Sequence, residues 1–298
     1  MKRQTTLLTA ALALALGAVA LVRRKRANLG REIQRRVDAL LARAETTADA
    51  TSVRDDRANL PAPVWRYLAT ALPDDPDDIE TVRIEQRGEF RLGDVCSSWR
   101  PLEATQYVTT DPPGFVWDAS IAVAPLLPAH VVDAYEDGRG SLEATLLSTV
   151  SIADADHSPE LDRGELMRYL AEAVWYPTAL LPRNGVTWEP IHDRAARATI
   201  EDSGTTASLT FYFGSDDLVT RVVGERPRLQ DDGSYERTRW TGHWDDYGER
   251  DGFVVPTSGE VAWNLADRTL TYWRADLTRI EYGVTTAAGT ERAEGIRP

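Results

Sequence analysis

From Ile79 to Tyr282 apolar and polar residues mostly alternate with a period of two. Residues 80–92, ETVRIEQRGEFRL, set Val82, Ile84 and Gln86 against Arg83, Glu85 and Arg87, and residues 97–110 are again rich in β-formers. Such alternation is that of strands with one covered face. EDGRG at 136–140 predicts a tight hairpin between two apolar runs. Three segments break the pattern. Residues 60–78 predict a short helix bracketed by prolines. In residues 158–182, Leu166, Leu170, Ala173 and Val174 form a helical face, Asp162 and Glu165 have capping-box spacing, and Pro177 stops the run. In residues 30–50, Ile33, Val37, Leu40, Leu41 and Ala44 recur at helical spacing. Roughly ten or eleven strands, one substantial central helix and no βαβ alternation predict an antiparallel α+β protein, with residues 58–298 as a single domain.

Ahead of this body, residues 5–22 are an uncharged run, TTLLTAALALALGAVALV, just long enough to cross a bilayer core. Lys2 and Arg3 in front and Ala-Val-Ala at 18–20 also suit a cleaved signal peptide, but RRKR at 23–26 favours an uncleaved single-pass anchor. Residues 1–26 are therefore expected to hold the anchor and its basic flank, and 27–57 an amphipathic helix and a polar linker. That helix has two open placements, on lipid head groups through its arginines or packed on the body. Counting basic residues puts the body in the cytoplasm, a preference that leaves the side open.

The chain's net charge is −13, but residues 1–30 hold six basic side chains and no acid, leaving the remainder at −19. Such a body repels nucleic acid, which is not an expected partner. Only two lysines occur, a composition that fits both life in high salt and a GC-rich genome. Cys96 is the only cysteine, which excludes an intrachain disulfide and a cysteine-based zinc cluster.

Phosphate-binding loops, a GxSxG elbow, HExxH and EF-hand loops are all absent, and His130, His157, His192 and His243 are dispersed. No metal and no cofactor is expected. One constellation invites chemistry: His243 with Asp245 and Asp246, the groups of a carboxylate-assisted hydrolase. Alternation places His243, Asp245 and Tyr247 on one strand face and Trp240, Gly242, Trp244 and Asp246 on the other, with YGERDG as the following connection, so the same residues also suit a solvated strand end.

Aromatic residues make a broader pattern. Trp99, Trp117, Trp240, Trp244, Trp263 and Trp273 fall in strand-like segments, and Trp175 and Tyr176 end the central helix. On one concave face with that helix across it, Trp117, Leu170, Trp175, Tyr176, Trp240, Trp244 and Trp263 would line an apolar cleft.

Over about residues 58–283, LPAPVWRYL, RIEQRGEFR, SWRPLEATQYVTTDPPGFVWDA, VVDAYEDGRGSL, GELMRYLAEAVWYPTALLP and DGFVVPTSGEVAW resemble a prokaryotic family classed only as a domain of unknown function, which implies no activity. The carboxy-terminal strands, with Asp246, Tyr247, Asp251, Gly252 and Pro256 at the hairpin, are similar to the end of periplasmic carriers of the LolA and LppX kind. That second resemblance implies a curved antiparallel half-barrel, covered by helices over an apolar cavity that takes acyl chains. The chain has no lipoprotein-type Cys near the anchor, so it implies a tethered, non-enzymatic binder of a lipid or other apolar ligand. The hydrolase and a scaffold that docks partner proteins through exposed aromatics are the alternatives.

Overall fold

The computed structural model describes residues 2–44, 60–74, 76, 78–124, 127–155 and 157–285, with the side chains of 2–16, 18, 19 and 152–154 excepted. Three α-helices are described: α1 Lys2–Ala44, α2 Ala62–Ala71 and α3 Pro159–Glu172. The strands are β1 Thr81–Arg91, β2 Trp99–Thr109, β3 Gly114–Ala124, β4 Leu127–Glu136, β5 Arg139–Leu146, β6 Val150–Ala155, β7 Val186–His192, β8 Ala195–Asp202, β9 Thr205–Phe213, β10 Val219–Leu229, β11 Tyr235–Arg250, β12 Phe253–Asn264 and β13 Thr269–Tyr282. All thirteen form one antiparallel sheet in the order β6-β5-β4-β3-β2-β1-β13-β12-β11-β10-β9-β8-β7. The chain starts in the middle, meanders out to one edge, restarts at the far edge and meanders back until β13 pairs with β1.

The period-two pattern explains the strands, and two acid-glycine pairs explain the tightest turns. Asp137 and Gly138, with φ of 56° and 76°, turn β4 into β5 inside the EDGRG sequence, as expected. Asp251 and Gly252, at 49° and 85°, do the same between β11 and β12. YGERDG is thus not a connection: β11 runs on to Arg250 and only two residues turn. The sequence count of ten or eleven strands is low because residues 112–154, taken as two apolar runs, supply four short ones.

To pass from edge β6 to edge β7 the chain crosses the concave face as α3, followed by 3-10 turns at Ala173–Trp175, Pro177–Leu180 and Pro182–Asn184. Ser158 caps α3, its hydroxyl accepting from the Leu161 N–H at 3.1 Å. Asp162, expected in a capping box with Glu165, instead accepts from the backbone N–H of Gly140 on β5 at 2.8 Å. Leu166, Met167, Leu170 and Val174 are fully buried in the main core. The helix touches β4 and β5 on one side and β9 and β10 on the other, bridging the two arms of the sheet. The arms also meet directly, where the Tyr135 hydroxyl donates to Asp202 Oδ2 at 2.7 Å. The expected antiparallel α+β fold is therefore present as one open sheet, crossed by α3, whose edge strands β6 and β7 do not pair.

On the convex face, Val37, Leu40 and Leu41 of α1 pack against Val116, Val132 and Ala134. Arg36 bonds Glu136 and Ser141, and Arg43 pairs with Asp137. Of the two placements open to this helix, its second half takes the one on the body. The polar linker expected at 46–59 lies outside the described residues, as do most side chains of the apolar run 5–22. Among the described residues no helix is long and apolar enough to cross a membrane.

Leu41 seats α1 on an otherwise complete sheet, so Leu41→Asp is expected to weaken docking by about 2–5 kcal/mol and leave the body folded. In limited trypsinolysis the Arg31–Arg43 stretch should be cut faster, while a fragment starting near residue 60 survives with an unchanged melting temperature. Loss of the body together with the helix would contradict the separation.

Candidate functional site

A cavity of about 430 Å³ lies between the aromatic inner face of β1 and β10–β13, the arm formed by β3–β6, and α3. Alternation along β11 and β12 aims Trp240, Trp244, Val261 and Trp263 at the same side. Glycine makes room for one of them. Gly259 sits opposite Trp244 in register, and a Cβ there would come within 2.7 Å of the Trp244 ring. Trp175 stands behind this wall, meeting Trp244 edge-on at 4.9 Å and Trp273 at 6.5 Å between ring centroids. Its ring N–H donates to the Pro256 carbonyl at 3.1 Å. Tyr272 stacks on Trp263 at 6.0 Å and accepts from the Trp240 N–H at 3.0 Å.

Opposite the rings the wall is mixed, with charged groups among Trp117, Val131, Leu142, Ala155 and Leu161. From α3 come Glu165, Arg168 and Glu172, from β4 Asp133 and from β10 Arg226. Arg168 donates to Asp133 Oδ2 at 2.5 Å and to Glu172 Oε1 at 2.8 Å, with its guanidinium over the rings of Phe115 and Trp117. Arg226 donates to Glu165 Oε1 and to the Gly164 carbonyl at 3.0 and 3.1 Å. Gln106 completes Glu172 at 2.7 Å, and the Trp117 N–H donates to Gln86 Oε1 at 2.8 Å. Three carboxyls face two guanidinium groups. Burial raises the Glu165 carboxyl to about 8, the nearby Asp133 charge adds to the rise, and Arg226 and Arg168 oppose it. Asp133 Oδ1 and Glu165 Oε2 have no N–H or hydroxyl donor, and the two side chains lie within hydrogen-bond reach. A proton on Glu165, shared with Asp133, supplies the missing donor and leaves the cluster neutral.

Of the seven residues expected to line the cleft, Trp117, Trp240, Trp244 and Trp263 do so. Leu170, Trp175 and Tyr176 do not: they lie in the core behind it, with the Tyr176 hydroxyl bonded to the Tyr169 carbonyl. The helix is turned over relative to the sequence expectation. Its Leu face enters the core, and the polar stripe of residues 162, 165, 168 and 172 faces the sheet and cavity. The polar lining was legible only as that spacing of three, three and four, which in an ordinary surface helix is the solvated face.

His243 and Asp245 lie on the convex face, away from the cavity. The His243 side chain is 47% exposed, Glu260 on the next strand is 3.8 Å from its Nδ1, and burial leads Arg221 in lowering its pKa against the pull of Glu260. Asp245 accepts from the backbone N–H of Asp246, whose φ of 53° upsets the alternation. Tyr247 consequently turns inward, where its hydroxyl donates to the Val219 carbonyl at 2.7 Å, and not outward beside His243. His243 and Asp245 line a separate surface pocket on that face with Glu89, Glu260, Arg274 and Asp276, and Asp246 does not join them.

A buried carboxyl that titrates near 8 in the folded chain and at its ordinary 4.5 in the unfolded chain adds stability that is complete below the lower value and lost as pH rises through the higher one. The wild-type denaturation midpoint should therefore fall between pH of about 5 and 8.5 by more than that of Glu165→Gln, in which the falling component is absent. Identical pH profiles would show that Glu165 ionises normally.

Similarity to known proteins adds one firm assignment. The chain is similar to a LolA superfamily protein from Nitrosomonas europaea, with 10% identity, 78% of this chain and 94% of that one covered, and a TM-score of 0.39. It is also similar to a β-barrel-like protein of the domain of unknown function DUF1849 from Brucella abortus, with 10% identity, 70% and 100% covered, and a TM-score of 0.24. No curated protein matches the chain. The model of a family of unknown function, DUF6920, matches residues 58–282, from just before α2 to the end of β13, and the protein belongs to that family.

Proposed function

We propose that this protein is a membrane-anchored, non-enzymatic binder of a lipid or similar amphiphile, tethered through residues 5–22 and holding its ligand in the half-barrel cavity. The observation that carries this reading is the cavity's lining, an aromatic wall facing one in which a cluster of charged groups sits among apolar side chains. Its volume of about 430 Å³ falls within the range of small-molecule sites. Burial of ligand hydrocarbon against Trp240, Trp263, Tyr272 and Trp273 supplies the affinity, at about 25 cal/mol per Å².

Full-length protein purified from membranes should yield a stoichiometric amphiphile on native mass spectrometry, and a fluorescent fatty acid should enter the emptied protein. Val261→Trp, which fills the cavity from β12, is expected to weaken uptake at least about tenfold, a loss of ~1.4 kcal/mol or more. Gly259→Val, which displaces the Trp244 ring, should weaken it as well. An empty cavity on extraction together with no uptake would overturn the reading.

A further inference from the structure

Helix α1 fixes the direction in which the body faces its anchor. Leu40 sits over Gly114 at the start of β3, and Arg36 and Arg43 reach Glu136 and Asp137 at the end of β4. Fourteen residues toward the amino terminus from Leu40, Arg26 lies beside Asp118 and His130, farther along β3 and nearer the start of β4. Helix α1 therefore climbs toward the end of the sheet where β3 finishes. Val22, the last residue of the apolar run, follows Arg26 by one helical turn, about 6 Å.

That same end carries the cavity mouth. Strand register makes it the end where β1 stops and β2 starts, where β12 stops and β13 starts, and where β10 stops and β11 starts. Leu92, Leu229, Tyr235 and Leu270 line the cavity there. Leu92 and Leu229 are 46% and 48% exposed. Leu21 on α1 and Val150 at the start of β6 point to the same end, so four of the six large exposed apolar side chains among the described residues gather on it.

We propose that the cavity mouth docks on the surface of the phospholipid bilayer that holds residues 5–22, so that the ligand passes between membrane and cavity without crossing water. This rests on the anchored-binder reading above. Arg91 and Arg228 flank the two leucines and suit phosphate groups. Asp94, Asp231 and Asp232 on the same two loops offset them, so insertion of Leu92 and Leu229 carries the docking and anionic lipid adds little.

Cys96, exposed in the loop between β1 and β2, is a native labelling position at the mouth. In the full chain reconstituted in phosphatidylcholine vesicles, an environment-sensitive fluorophore on Cys96 should shift to the blue and be quenched by spin-labelled lipid. The same fluorophore on Asp251→Cys, at the opposite end of the sheet in a Cys96→Ser background, should do neither. Leu92→Asp with Leu229→Asp is expected to lower the docked fraction roughly tenfold while the chain still floats with the vesicles. A water-like Cys96 label, or equal quenching at both positions, overturns the docking proposal. If mass spectrometry of that same sample finds bound amphiphile, only the docking fails and the binder reading stands. A full chain that does not float with vesicles removes the anchor and the docking together.

Discussion

A sheet that meanders outward from its middle strand must somehow restart at its other edge, and the path between β6 and β7 dictates most of what is distinctive here. Eleven strands lie between the two edge strands in hydrogen-bonding order. A connection over the convex side would have to round an even longer surface, past the ground that α1 occupies. Crossing the concave side is shorter and lets the segment 157–185 bury apolar surface against both arms at once. The cost of that route is that beyond its first turn, where Pro159 and Glu160 are exposed, α3 has no solvated face. Its polar stripe, harmless on a surface helix, is enclosed with the rest and must find partners inside.

Those partners come from well-separated strands, which makes the ionic cluster the lock between the arms. Asp133 belongs to one arm and Arg226 to the other, and α3 supplies Glu165, Arg168 and Glu172 between them. Enclosing five ionisable groups is a poor way to gain stability, since desolvation consumes much of the attraction. It is a good way to define where the helix sits, because any rotation of α3 about its axis or slip along it leaves a guanidinium or carboxylate unmatched. The Glu165 proton is part of this balance: with it, two positive charges meet two negative ones.

Most strands and the Asp137-Gly138 turn were legible in the sequence because each is decided locally. Val82, Ile84 and Gln86 alternate whatever lies beyond them, and Asp137-Gly138 turns on its own φ preferences. The placement of the Trp117, Trp240, Trp244 and Trp263 rings followed from parity along a strand. What failed was whatever needed knowledge of a third layer. Tyr247 escaped parity because Asp246 takes a left-handed conformation, which the residue type permits but does not announce. Leu170, Trp175 and Tyr176 were placed in the cleft by the ordinary rule that a helix turns its apolar face to the cavity it covers. Here the rule is inverted, because beyond its first turn α3 is covered on every side and the larger apolar volume lies with β8, β9 and the 3-10 turns. Arg226 gave no signal at all: one arginine among many on a strand is marked as buried only by the carboxylate that meets it.

The inversion also explains why the cavity persists instead of closing. A space between two apolar layers would collapse as side chains relaxed into it, since each buried methylene gained is favourable. Here one wall holds guanidinium and carboxyl groups whose bonds to each other are already made, and moving aromatic rings onto them would cost hydrogen bonds and solvation. The other wall is propped from behind, with Trp175 holding Trp244 and Trp273, and Tyr272 pinned by Trp240 and Trp263. The rings cannot advance without abandoning those contacts, and the ions cannot advance without abandoning theirs. An occupant with hydrocarbon on one flank and polar atoms on the other satisfies both walls at once, which neither wall can do for the other.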